Sequence, residues 1–191
     1  MERKTASPSI VKLALVLLAA AAVVALVLGV VNHVTKDRIA ELAKEKTEIA
    51  YANVLEAENY EEVESYENNG TFGKITKLSK AIDESGALVG YVAETEFSGA
   101  QGMITMVVGV GADNSCTGIY VTKSSETAGL GALASETQEG AWRDNLAGTT
   151  IESARLAKDG GSIAAIAGAT ITSRACTNMT RYVLYVTSLL G

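Results

Sequence analysis

The sequence predicts an α+β protein: a membrane-spanning helix first, then an antiparallel sheet, then a C-terminal helix packed on that sheet. Three observations lead there. Leu13 to Val31 carries no charged or polar residue. Between Phe72 and Lys123, four runs rich in apolar and β-branched residues are joined by short turn signals. From Ala175 to Leu190, apolar residues recur at three- and four-residue steps. A run without polar groups of this length crosses a bilayer as a helix. Strands joined by short turns pair antiparallel, and three–four spacing marks the buried face of an amphipathic helix. Segregated strands and helices of this kind define the class.

The anchor extends comfortably from Ile10 to Val31, because Lys12 reaches the headgroups along its own aliphatic stem. A cleaved signal peptide has a shorter apolar run, about 7–15 residues, so a retained anchor is expected. Arg3, Lys4 and Lys12 accompany one acid, Glu2, in the short leading tail. Basic residues at a membrane end favour the inner side. The tail is therefore expected in the cytoplasm and the following domain on the outer face of the cytoplasmic membrane. His33 stands alone at the membrane edge and reads as an interfacial polar residue.

Thr35 to about Glu67 reads as a leading helix with a partial apolar stripe of Ile39, Leu42, Ile49, Val54 and Leu55. Its Glu-rich end, Glu56 to Glu67, reads as a solvated face or loop. Asn68-Asn69-Gly70 breaks it. Strands are expected over Phe72–Ile82, Ala87–Phe97, Gly102–Val110 and Cys116–Lys123, with turns at Asp83–Gly86 and Asp113–Ser115. A short helix is expected around Thr137–Leu146, carrying Trp142. The expected domains are thus a tail and anchor (1–34), a connecting helix (35–70) and an outer domain (71–191).

Charge excludes one class of partner. The chain of 191 residues has 16 bases and 22 acids; residues 1–36 hold four bases and one acid, leaving 12 and 21 beyond, a net of −9. An acidic domain without a basic stripe does not bind nucleic acid. Anionic lipid repels it too, so the helix in the lipid holds it to the membrane. Cys116 and Cys176 are far apart and without a Cys/His cluster, which argues against a structural zinc or a self-contained iron–sulfur site. They read as two buried thiols, although an exported location also permits a disulfide. Glu94 and Glu96 share a strand face and read as solvated carboxylates. Trp142 and Tyr120 read as core aromatics before stacking partners.

Two stretches stand out. In Ala167-Gly168-Ala169-Thr170-Ile171-Thr172-Ser173, a small-residue turn opens the last helix. Thr172 or Ser173 is the expected N-cap. Thr170 offers a hydroxyl beside a helix N-terminus, where free amides and the helix dipole favour an anion such as phosphate. A capped helix after a glycine turn accounts for the same residues. In Glu126-Thr127-Ala128-Gly129-Leu130-Gly131, the glycines supply a flexible turn, or else let backbone approach a planar ring on which Leu130 packs.

Together these stretches resemble the FMN-binding domain family, whose motifs are Asp-x-x-Ser/Thr-Gly-Ala-Thr and Glu-Thr-Pro-Gly-Leu-Gly. Ala164 and Ala167 stand at the Asp and Ser/Thr positions, and Ala128 at the Pro. With the single anchor, the chain is most similar to the G subunits of Rnf complexes; the C subunits of sodium-pumping NADH:quinone reductases are similar but generally longer. The resemblance implies FMN joined covalently to Thr170 by a phosphoester. It further implies Gly168, Ala169, Thr172, Ser173, Glu126, Thr127, Gly129, Leu130 and Gly131 around the cofactor, and a flavin transferase for maturation. It implies an electron-relay subunit of an ion-translocating ferredoxin:NAD oxidoreductase, working beside other membrane and flavin subunits. Such a chain has no complete substrate site of its own, and the sequence shows no nucleophile elbow, phosphate loop or dinucleotide fingerprint. A membrane-anchored flavin-binding sensor or scaffold, with non-covalent or no FMN, is the alternative.

Overall fold

A computed structural model of the chain describes residues 10–68 and 70–190. The basic tail with Arg3 and Lys4, and Asn69 of the expected breaker, lie outside the described residues. The chain forms two units, Met1–Lys44 and Glu45–Gly191.

Helix α1 spans Ile10–Val54. It contains a stretch long and apolar enough to cross a membrane, none of it buried against protein. Residues Thr35 onward do not start a new helix but continue this one. The expected end at Glu67 is replaced by Val54, because the chain beyond it turns into a strand.

The second unit holds a five-stranded antiparallel sheet: β1 (Asn59–Glu62), β2 (Lys74–Ile82), β3 (Leu88–Ser98), β4 (Met103–Gly111) and β5 (Cys116–Lys123), in that spatial order. The four expected strands are present, and β1 is added where a solvated loop is expected. It pairs with β2 from Asn59↔Ile82 to Glu62↔Ser79. Its sequence Asn-Tyr-Glu-Glu gives no apolar alternation, since an edge strand in water needs none and charge discourages further pairing.

Register explains an apparent conflict in β2. Ile75 and Leu78 have opposite parity, yet both lie in the main core. A register shift between Ile75 and Lys77 brings them to one face. The same happens in β5, where the shift opposite Gly109/Val110 puts Cys116 on the side of Ile119 and Val121.

One sheet face is covered by α2 (Thr170–Ser188). Tyr91, Ala93, Phe97, Ile104, Met106 and Val108 meet Cys176, Met179, Val183, Leu184 and Val186 there. The other face carries a smaller cluster of Val92 and Val107 beneath Ala50, Tyr51 and Val54 of the last turns of α1. Glu94 belongs to this second face and accepts a hydrogen bond from the Tyr51 hydroxyl at 2.8 Å, while Glu96 pairs with Lys74 at 2.9 Å. They are thus partnered rather than simply solvated. Between β5 and α2 run three single-turn helices, Gly131–Ser135, Trp142–Leu146 and Ala157–Asp159. The middle one is the short helix expected near Trp142, beginning later than expected.

Candidate functional site

Gly168 and Thr170 mark the approach to α2. Ile163 makes an isolated parallel bridge to Leu156, and the chain then turns into the helix: Ala169 N–H donates to Ile166 O at 3.0 Å, and Gly168 has φ +75°. Helix α2 begins at Thr170, so the residue at its N-cap is Ala169, with no side-chain cap. The expectation of Thr172 or Ser173 as N-cap is therefore corrected. Both lie inside the first turn and are fully buried. Their hydroxyls serve other ends. Ser173 Oγ donates to Ala169 O at 2.9 Å and accepts from Ile166 N–H at 3.0 Å, which locks the turn to the helix. Thr172 Oγ1 donates to Glu126 Oε2 at 2.6 Å.

That last bond joins the two motifs across 46 residues. Glu126 opens a closed turn in which Leu130 and Ala132 N–H both donate to Thr127 O at 3.1 Å. Gly129 has φ +73°, and Leu130 remains exposed. A Cβ on Gly168 would lie 2.9 Å from Leu130 Cδ2, so the two glycine-containing turns are in contact. Thr127, Gly129, Leu130 and Gly168 are exposed, Thr170 is half-buried, and Ala169 and Gly131 are buried behind them.

Among the described residues, the Thr170 hydroxyl has no hydrogen-bond partner, unlike those of Thr172 and Ser173. The amides of Thr170, Ile171 and Thr172 have no intrahelical acceptor by the geometry of any α-helix, whereas Ser173 N–H already donates to Ala169 O at 3.0 Å. The arrangement offers one free hydroxyl, free amides at the positive end of a helix dipole, and the exposed apolar side chains Leu130 and Ile171. It can take an anionic tail beside a flat apolar group. Arg174, one turn into α2, is held by Asp159 at 2.7 and 2.9 Å. The guanidinium keeps the Asp159 carboxyl below the usual range.

Residues without a sequence signal complete the frame. Glu126 Oε1 accepts from Gln101 N–H at 2.9 Å, a backbone contact that no side-chain pattern announces. Trp142 is half-buried against the core, and its indole N–H donates to Ala164 O at 2.6 Å. Tyr120 is half-buried in the smaller cluster, with the Arg143 guanidinium 5.3 Å from its ring centre. Ala164 and Ala167 are both exposed, so the side chains that depart from the family pattern take no part in packing. The two cysteines are free and buried. Burial, reinforced by the Glu126 charge, pushes the Cys176 thiol up to about 12. A cleft of about 380 Å³ is lined by Lys46, Tyr120, Thr122, Ser124, Glu126 and Ser135 among others; Thr170 is not part of it.

The chain is similar to known proteins over most of its length. Residues 99–185 match the FMN-binding domain, which spans the sheet from the β3–β4 turn through most of α2. Residues 1–54 match the RnfG N-terminal region. The G subunit of the ion-translocating oxidoreductase complex of Methanosarcina acetivorans is 33% identical over 171 residues, 88% of this chain and 89% of that protein. The G subunit of the Na(+)-translocating ferredoxin:NAD(+) oxidoreductase complex of Acetobacterium woodii is 34% identical over 182 residues, 87% of this chain and 86% of that one. The corresponding G subunit of Escherichia coli K12 is 31% identical over 160 residues, 78% and 76% of the two chains. The chain is an α+β protein with an FMN-binding domain behind one apolar N-terminal helix. It belongs to the family of G subunits of Rnf-type ion-translocating oxidoreductase complexes.

Proposed function

We propose that this chain is the electron-relay subunit of an ion-translocating ferredoxin:NAD oxidoreductase, and that it carries FMN as a phosphoester on Thr170. The observation that carries the proposal is the meeting of the two motifs around one uncommitted hydroxyl. Thr172 and Ser173 are engaged within the protein, which leaves Thr170 as the hydroxyl of that turn free to be esterified. The residues fit an FMN. The turn at Gly168 and Ala169 has no bulk to exclude a phosphate, and Leu130 presents an apolar surface next to it.

When bound, the flavin supplies the redox chemistry. The chain supplies holding and orientation. In maturation the Thr170 oxygen forms a bond to the phosphorus of a flavin nucleotide donor. The donor would be a flavin dinucleotide: its pyrophosphate P–O bond breaks, its nucleoside monophosphate half departs, and the hydroxyl proton goes to solvent or to a base of the flavin transferase. The free amides of α2 would face the phosphate, worth about 0.3–1 kcal/mol for an exposed anion, so the covalent bond rather than affinity would retain the cofactor. Gly129, exposed and without a side chain, would let backbone come close to the ring, Leu130 would pack on it, and Gly131 lies behind them against Glu126. Thr127 and Ala169 complete the wall.

The anchor holds this domain at the cytoplasmic membrane, with the N-terminus inside and the FMN domain on the outer face. Other membrane and flavin subunits of the complex are its electron partners, and lipid contacts it through the one helix. Ala164 and Ala167 leave the folded turn intact, so their effect falls on recognition by the transferase.

Denaturing electrophoresis with in-gel fluorescence tests the proposal. The wild-type band is expected to fluoresce, and Thr170→Val to be dark at equal protein load. Fluorescence in the variant moves the attachment elsewhere. A dark wild-type band, with flavin freed on denaturation, favours a non-covalent flavin sensor or scaffold.

A further inference from the structure

We infer that Glu126 is a positioning residue, whose carboxylate pins the loop carrying Leu130 to the first turn of α2 and so fixes where Thr170 stands. The inference rests on the reading of this surface as an FMN site and reassigns Glu126 from the ligand to the frame that holds it.

Both carboxylate oxygens are engaged. Oε1 accepts from Gln101 N–H at 2.9 Å, and Oε2 accepts from Thr172 Oγ1 at 2.6 Å. These partners lie 25 residues before and 46 residues after Glu126 in the chain. One side chain thereby ties the β3–β4 turn, the Thr127–Gly131 loop and α2 to each other. Gly131 makes room for it: a Cβ there would fall on the carboxylate and within 2.8 Å of Thr172 Oγ1. A Cβ on Gly99 would strike the other carboxylate oxygen. Hydrogen bonds to an ionised acceptor are shorter and about twice as strong as neutral ones. Thr172 has one hydroxyl proton and gives it to Glu126, so it is not a phosphate donor through that group.

The substitutions separate shape from charge. Glu126→Gln keeps both contacts, since its amide oxygen accepts from Gln101 and its amide nitrogen donates to the Thr172 oxygen. Glu126→Ala removes both, and Thr172→Val removes one.

Amide hydrogen exchange on the full chain in detergent, with and without flavin, is the test. The reporters are the Gln101, Leu130, Ala132 and Ser173 amides, each a donor in the folded protein. Glu126→Ala is expected to speed all four together by about ten-fold or more, and Glu126→Gln to remain near wild type. In flavin-loaded protein, visible circular dichroism of the ring should be lost in Glu126→Ala and kept in Glu126→Gln. Should Glu126→Ala fail to fold, Thr172→Val carries the test, with faster exchange at Ser173 and Leu130. Exchange confined to the variant's own segment, or an unchanged flavin signal in Glu126→Ala, overturns the inference. The exchange arm needs no flavin, so a chain that never takes up FMN ends the functional reading without deciding the clamp.

Discussion

Leu130 rests against the backbone of Gly168: a Cβ placed on that glycine would lie 2.9 Å from Leu130 Cδ2. Two short segments, 38 positions apart in the chain, thus share one surface. Gly168 also has φ +75°, which L side chains rarely adopt. Gly168→Ala is therefore expected to cost about 1–2 kcal/mol from conformation alone, before Leu130 moves aside. Thermal unfolding in detergent measures it. The variant should also incorporate less flavin, because Thr170 follows two residues later. Stability equal to wild type would show that the turn relaxes without penalty.

Ser173 tests the other side of the same turn. Its hydroxyl is buried and makes two hydrogen bonds, to Ala169 O and from Ile166 N–H. Ser173→Ala leaves the Ile166 amide without its acceptor, with an expected loss of about 1–3 kcal/mol. Ser173→Thr retains the hydroxyl and separates loss of the bonds from crowding of a buried site. Denaturant titration of both variants gives the comparison, and no loss in Ser173→Ala would mean that water replaces the side chain.

Much of this architecture is legible in the sequence, and the exceptions have physical causes. Strands β2 to β5 announce themselves because Asp83–Gly86 and Asp113–Ser115 close tight turns between alternating runs. Asp83 Oδ1, for example, accepts from Ser85 and Ala87 N–H at 2.8 and 2.9 Å. β1 carries no such signal because it is held by pairing with β2 and by one aromatic contact, Tyr60 edge-on to Tyr51 with ring centres 4.9 Å apart, rather than by an alternating apolar face. The buried face of α2 is only partly legible. Thr177, Thr180 and Thr187 are buried there although they read as polar. Thr180 and Thr187 return their hydroxyls to the carbonyls of Cys176 and Val183 at 3.0 and 3.1 Å, so each buries its methyl group at little polar cost. The motif residues are legible by type, but their division of labour is not. That Thr172 faces Glu126 while Thr170 stays free depends on where the helix starts, and a one- or two-residue uncertainty in a helix start exchanges their roles.

The two thiols predict an alkaline limit to stability. Burial pushes both Cys116 and Cys176 from 9.0 up to about 12. The fold favours the neutral thiol, so its contribution is complete below about pH 9. Across the window from about 9 to 12 the unfolded chain releases protons that the native state keeps, and stability falls. The slope approaches about 1.4 kcal/mol per pH unit for each thiol. Melting curves of the wild type and of the Cys116→Ala/Cys176→Ala double variant, at neutral and alkaline pH, isolate this contribution. The variant should start less stable and lose less on going alkaline. Parallel losses would assign the effect to other groups.

Attachment of FMN to Thr170 is tested most directly by intact mass of the chain purified from cells that hold the flavin transferase, followed by mapping of the peptide that contains this residue. The expected result is a mass increment of one FMN moiety, located on that peptide and absent from Thr170→Val. An unmodified wild-type chain under those conditions, or an FMN mapped to another residue, would contradict it.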